Sequence, residues 1–139
     1  MIRLATYTDI PYIVEGMVAL KVRTGWACYL TDGYTHENLQ QFVKDRLSDS
    51  QSILYISEPT AGSLQGFCGA SLNQFYLPPY MPLLFEWGWF GSPKEAARCW
   101  RASVQWGLKR GVQLVGRVHV SKGTRPSKII EQQVWKVVA

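Results

Sequence analysis

Residues 84–100 read LFEWGWFGSPKEAARCW, and the way this run divides decides the fold. Residues 83–90 are apolar and aromatic, the side chains that favour a strand, with one carboxylate, Glu86, among them. Gly91, Ser92 and Pro93 stop the run. From Pro93 to about Arg110 small and apolar residues recur at helical spacing, and Gly111 stands where a helix C-terminus is expected. A strand, a tight turn and a helix in this order leave helix-terminal amides beside the strand end, an arrangement that receives phosphates. A strand running into a core helix has the same pattern, so the stretch alone leaves both readings open.

Working outward, residues 2–6 alternate as a strand. Residues 7–23 follow with Thr8 or Asp9 as a cap, Pro11 early in the helix, and Ile10, Ile13, Val14, Met17 and Val18 on one face. Residues 24–34 are turn-rich and read as a loop. A second helix starts at Thr35 and carries Leu39, Phe42, Val43 and Leu47 on one side. Residues 52–57 and 66–77 pair as a hairpin, and the PPYMP segment at 78–82 breaks regular structure. After the 93–110 helix come a strand at 112–120, a loop, a short helix at about 126–133 and a last short strand. The expected order is β-α-α-β-β-β-α-β-α-β in one α/β domain spanning residues 1–139.

Composition narrows the function classes. Hydrophobic residues make up 47% of the 139 and charged residues 18%, which suits a packed core and argues against disorder. The net charge of +5 favours an anionic partner. Basic residues are scattered apart from 109–136, and no zinc-finger spacing or base-reading motif is present, so direct nucleic-acid binding is disfavoured. Cys28, Cys68 and Cys99 are widely separated, as in a reducing compartment. No signal sequence and no membrane-length apolar run opens the chain, so a cytoplasmic protein without a membrane partner is expected. His36 and His119 stand far apart without further ligands, and no metal site is expected; His36 reads as surface and His119 as a strand residue. Trp100 and Trp106 read as core.

The element order, together with the opening phrase IRLATYTDIPYIVEGM, resembles the GNAT superfamily of N-acetyltransferases. The resemblance implies a mixed, mainly antiparallel central sheet flanked by helices. It also implies acyl transfer from acetyl-CoA, as co-substrate, to an amine of a small molecule or a protein. By this resemblance residues 86–90 lie on the fourth strand, which splays from its neighbour, often at a bulge. The backbone of Trp87, Gly88, Trp89 and Phe90 would then pair with the pantetheine arm. Lys94, Ala96, Ala97 and Arg98 would face the pyrophosphate, and Glu86 would act as general base. Trp26, Tyr29 and Tyr34, in the loop where the family shapes its acceptor pocket, and Tyr76 and Tyr80 beside the proline-rich break, suit a substrate slot or packing equally.

The chain departs from the family pattern in two places. Its loop is not Arg/Gln-x-x-Gly-x-Gly/Ala. With Pro93 aligned to the family's proline, Ala96 takes the arginine position, and Cys99 and Arg101 the glycine positions. Against the family's C-terminal pattern, Thr124 takes the Asn position, Ser127 the Ala, Ile130 the Leu, and Glu131 the position of the tyrosine that protonates the leaving thiolate. These departures, with the small size, resemble divergent phage or mobile-element members. They give a second reading, a catalytically inactive GNAT-fold module that binds a host or regulatory protein. The family's usual final strand is missing, which leaves an edge that a second copy would cover, and a homodimer is expected.

Overall fold

The computed structural model describes residues 1–24, 33–74, 82–122 and 129–137. β1 (Ile2–Leu4) leads through a 3-10 turn at Tyr7–Asp9 into α1 (Ile10–Thr24), followed by α2 (His36–Ser48). β2 (Ser52–Ser57), β3 (Gly66–Gln74) and β4 (Pro82–Gly91) come next, then α3 (Pro93–Leu108), β5 (Leu114–Lys122) and β6 (Ile129–Val137). The six strands form one sheet in sequence order. Every neighbouring pair is antiparallel except β4–β5, which α3 joins as a parallel crossover.

Local chemistry sets the helix ends. The hydroxyl of Thr35 accepts the Asn38 N–H at 3.1 Å, capping α2. Ser92 caps α3 with Pro93 as its first residue, and Gly111 at φ +81° ends the C-terminal turn, where the Val112 N–H reaches the Gly107 carbonyl at 3.1 Å. At the entry to α1 it is Thr6 and Asp9 that form the cap. Asp9 accepts the Thr6 N–H at 2.8 Å and a two-pronged ion pair from Arg3 at 2.8 and 2.9 Å. Arg3 also reaches Glu58 at 2.9 Å, so one guanidinium ties β1, the helix entry and the end of β2 together.

Helices cover both faces of the sheet. α1 and α2 bring Ile13, Val14, Met17, Leu39 and Val43 against Leu54, Ile56, Phe67 and Trp87. On the other face Cys99 and Trp100 of α3 meet Cys68, Ala70, Leu84 and Val115. Cys68, Cys99 and Trp100 are buried as the sequence suggested, Trp106 is half-buried, and His36 is exposed.

The C-terminal region corrects the expected element order. The short helix expected at 126–133 is not formed over its described part: Ile129–Val137 is a strand, paired antiparallel with β5 from Lys122↔Ile129 to Leu114↔Val137. Pro126 suggested a helix start, but the β-branched Ile129, Ile130, Val134 and Val137 favour extended backbone, and a neighbouring strand satisfies its hydrogen bonds. Ile130 and Glu131 therefore sit on a strand, Glu131 opposite Val120, and not on the helix implied by the family pattern.

One irregularity shapes the middle of the sheet. Gly69 stands opposite Gly88, and Ala70 opposite Glu86, so Trp87 is an extra residue in β4 and makes a bulge. The Trp87 ring lies directly over Gly69, where an added Cβ would fall 2.2 Å from its Cζ2. Because Trp87 is buried and also meets Phe42 edge-on at 5.1 Å, the ring has little room to retreat. Gly69→Ala is accordingly expected to destabilise the fold by about 1–3 kcal/mol. Urea denaturation checks this; an unchanged midpoint would show that the ring moves freely.

Candidate functional site

The bulge changes which way β4 points its side chains. Before it, Leu84 and Glu86 face α3, while Trp87 enters the core under α1 and α2. After it, Phe90 also packs on the α1 side, against Tyr12 and Phe67 at ring separations of 6.3 Å. The side chains of Trp87 and Phe90 thus belong to the core, so it is their backbone that can face a ligand.

Beside the bulge, β4 parts company with β5. Among the described residues their parallel ladder consists of Leu83↔Leu114, Leu84↔Val115 and Phe85↔Gly116, whereas β4 runs on to Gly91 and β5 to Lys122. A parallel pair that stops pairing beside a bulge leaves a wedge between two strand backbones.

Glu86 is 3% exposed, and the Cys68 thiol donates to its Oε2 at 3.1 Å. A carboxylate removed from water needs donors of this kind. Cys99, nearby in the same core, has its thiol pushed up to about 11, chiefly by burial, and is a poor nucleophile.

The N-terminus of α3 follows β4 after a single residue, Ser92. Pro93 has no N–H, the Glu95 N–H reaches the Ser92 hydroxyl at 3.3 Å, and the Ala96 N–H reaches the Ser92 carbonyl at 2.9 Å. The terminus also carries its own anion: the Glu95 carboxylate accepts from the Ser57 hydroxyl and lies 3.4 Å from Arg98. Ala96 is buried against the sheet, Ala97 and Arg98 are half-buried, and Lys94 is exposed. The Glu95 charge opposes a pyrophosphate at this terminus, and the side chains of Lys94 and Arg98, the latter beside Glu95, are its positive charge. The positive φ of Gly91, +113°, serves packing as well, since an added Cβ would meet the Gln65 carbonyl at 2.4 Å.

Sequence reading did not find a cavity of about 260 Å³ between the end of α2 and the β3–β4 pair. Phe42, Arg46 and Asp49 line it from α2 and its cap, Ser71 and Asn73 from β3, and Phe85 and Trp87 from β4. The Arg46 guanidinium stands over the Phe42 ring at 5.4 Å. Glu86 points to the opposite face of β4. Tyr34 packs against the α1–α2 core, while Trp26, Cys28, Tyr29, Tyr76, Tyr80, Thr124 and Ser127 lie outside the described residues. Among the described residues no group of three metal-ligating side chains occurs, and no helix is long and apolar enough to cross a membrane.

Solved structures share this arrangement of sheet and helices. A predicted acetyltransferase from Clostridium acetobutylicum, crystallised with acetyl-CoA, superposes with a TM-score of 0.69 at 13% identity, over 86% of this chain and 80% of that one. The fold is the GNAT fold. A ribosomal-protein-alanine N-acetyltransferase from Brucella melitensis matches over 99% of both chains, with a TM-score of 0.65 and 14% identity. A transcriptional regulator from Bacillus halodurans C-125 has the same GNAT fold, at 0.66 and 13%, over 88% of this chain and 82% of its own. No family model and no curated protein matches the sequence.

Ser57 and Arg98 hold the Glu95 carboxyl below its ordinary 4.5, the Ser57 hydrogen bond contributing most. The stabilisation from this group is complete above the ordinary value and is lost as pH falls through the lower folded one. Ser57→Ala is expected to move the Glu95 pKa up toward 4.5 in a carbon-detected NMR titration. An unmoved value would rule out the Ser57 hydroxyl as the cause.

Proposed function

We propose that this GNAT-fold protein transfers an acetyl group from acetyl-CoA to an amine of a small molecule or a protein. The observation that carries the reading is the β4 bulge at Trp87 beside the ending of the β4–β5 ladder at Phe85↔Gly116. An extended polyamide such as the pantetheine arm pairs with strand backbone in the manner of an added strand. Trp87, Gly88, Trp89 and Phe90 offer that backbone while their neighbours keep the strand rigid. Acetyl-CoA supplies the activated thioester. The chain's part is to align the arm, keep water from the wedge and receive a proton.

In this reading Glu86 receives the proton that the acceptor's ammonium gives up; the amine attacks the thioester carbonyl, the C–S bond breaks, and CoA leaves as a thiolate that takes a proton from water. The thiol bond from Cys68 orients the carboxylate. Lys94 and Arg98 meet the phosphates through their side chains, and Ala96 and Ala97 keep the first turn of α3 small.

A second reading, a GNAT-fold module that binds a protein without catalysis, is favoured by the α3 terminus, where Ser92 caps the Glu95 N–H and the Glu95 carboxylate already supplies a negative charge. Calorimetric titration with acetyl-CoA separates the two. The transferase reading expects binding in the micromolar range, and expects Glu95→Gln to tighten it about two- to fivefold by removing a like charge from the helix terminus. No heat at millimolar acetyl-CoA would sink the transferase reading. For the chemistry, Glu86→Gln is expected to slow acetyl transfer about a hundredfold or more while coenzyme affinity holds. Equal turnover in that variant would take Glu86 out of the mechanism.

A further inference from the structure

The outer side of α3 carries a row of cations that neither the fold nor the proposed chemistry explains. Lys94, Arg98, Arg101 and the C-cap residue Lys109 recur at helical steps, with Gln105 between the last two, so all five fall on one side of the helix. Lys94, Arg101, Gln105 and Lys109 are exposed and Arg98 is half-buried, while the opposite side, from Ala96 to Gly107, is buried against the sheet. At a rise of about 1.5 Å per residue the row is about 22 Å long. Helical spacing thus gathers on one face cations that stand apart in the sequence.

Ordinary helix chemistry does not account for this row. Glu95 is the single acidic residue of α3; its carboxylate accepts from Ser57 of β2, and Arg98 lies 3.4 Å away. Among the described residues no carboxylate forms an ion pair with Lys94, Arg101 or Lys109. Like charges three or four residues apart, as in Lys94–Arg98 and Arg98–Arg101, repel one another. Lys94 stands in the first turn, where the helix dipole disfavours a cation. A face that only meets water commonly mixes both signs.

The composition of the row selects its partner. A protein interface needs apolar or aromatic anchors at its centre, and a membrane needs an apolar face to bury. The row has neither, only cations and one amide. Such groups suffice for the phosphate backbone of a nucleic acid, and arginine can grip a phosphate through two parallel hydrogen bonds. With no ring in the row for a base to stack on, a duplex fits it better than a single strand. We propose that the outer face of α3 binds the phosphate backbone of duplex nucleic acid without reading its sequence. No base-reading motif is needed for that. Arg101 and Lys109 have no part in the acetyl transfer proposed above, so failure of this binding leaves the transferase reading standing.

The test is fluorescence anisotropy of the full chain, without coenzyme, on a labelled mixed-sequence DNA duplex of about 20 base pairs at stepped salt. Binding is expected with Kd below about 100 µM at about 50 mM salt. Log K is expected to fall against log salt with a slope of about −3 to −4, as four neutralised phosphates require. Arg101→Gln is expected to weaken binding about tenfold and to make the slope shallower by about one. Lys44→Gln removes the same charge from α2, on the other face of the sheet, and is expected to change neither. Both residues are exposed, so neither substitution disturbs the core. Absence of binding at that salt, equal effects of the two substitutions, or binding of poly-L-glutamate or a single strand as tight as that of the duplex would overturn the proposal.

Discussion

The Trp87 ring laid over Gly69 is the contact on which the rest of the sheet's geometry depends. A side chain at residue 69 would occupy the ring's place, and without the ring the bulge would lose what holds its extra residue inward. Because side chains alternate along a strand, one inserted residue changes the face of everything beyond it. Glu86, before the insertion, lies under α3 beside Cys68 by ordinary alternation from Leu84, whereas beyond it Phe90 enters the core under α1 on the same side as Trp87. The same step accompanies the parting of β4 from β5, and it places the indole on the wall of the α2 cavity. One local packing constraint therefore arranges the candidate site and that cavity, on opposite faces of one strand.

The beginning of α3 carries a negative charge of its own. A helix N-terminus attracts negative charge because its first amides and its dipole point outward. Here Ser92 takes the Glu95 amide, Pro93 supplies none, and the Glu95 carboxylate, bound by Ser57, brings its own charge. These contacts stabilise the helix and its seat on β2. GNAT-fold structures are known for both an acetyltransferase and a transcriptional regulator, so the architecture by itself does not select the chemistry.

Much of the architecture was legible from local signals. Ser92-Pro93 and Gly111 bracket α3, Thr35 opens α2, and the helical spacing of Ile13, Val14 and Met17 marks the buried side of α1. These features rest on bond geometry and near-neighbour spacing, which a chain carries with it wherever it folds. The C-terminal strand was misread because Pro126 resembles a helix start, and the extended preference of residues 129–137 is realised only against β5. Glu86 and the backbone of residues 87–90 were named as candidates by the resemblance to the GNAT family, which puts them on its fourth strand. That Glu86 would be closed beneath α3 with Cys68 as its donor could not be read from it.

The sequence by itself determined the three helices, the caps of α2 and α3 and the order of the elements as far as β5, because hydrophobic period and capping chemistry act over a few residues. Tertiary structure alone decided the bulge, the ending of the β4–β5 ladder, the strand at residues 129–137 and the α2 cavity. Each depends on what stands opposite: Gly69 beneath an indole, β5 beside β6, Arg46 across from Trp87. Such pairings join residues distant in sequence, and whether a donor finds an acceptor or a ring finds space is settled only when both sides have been brought together.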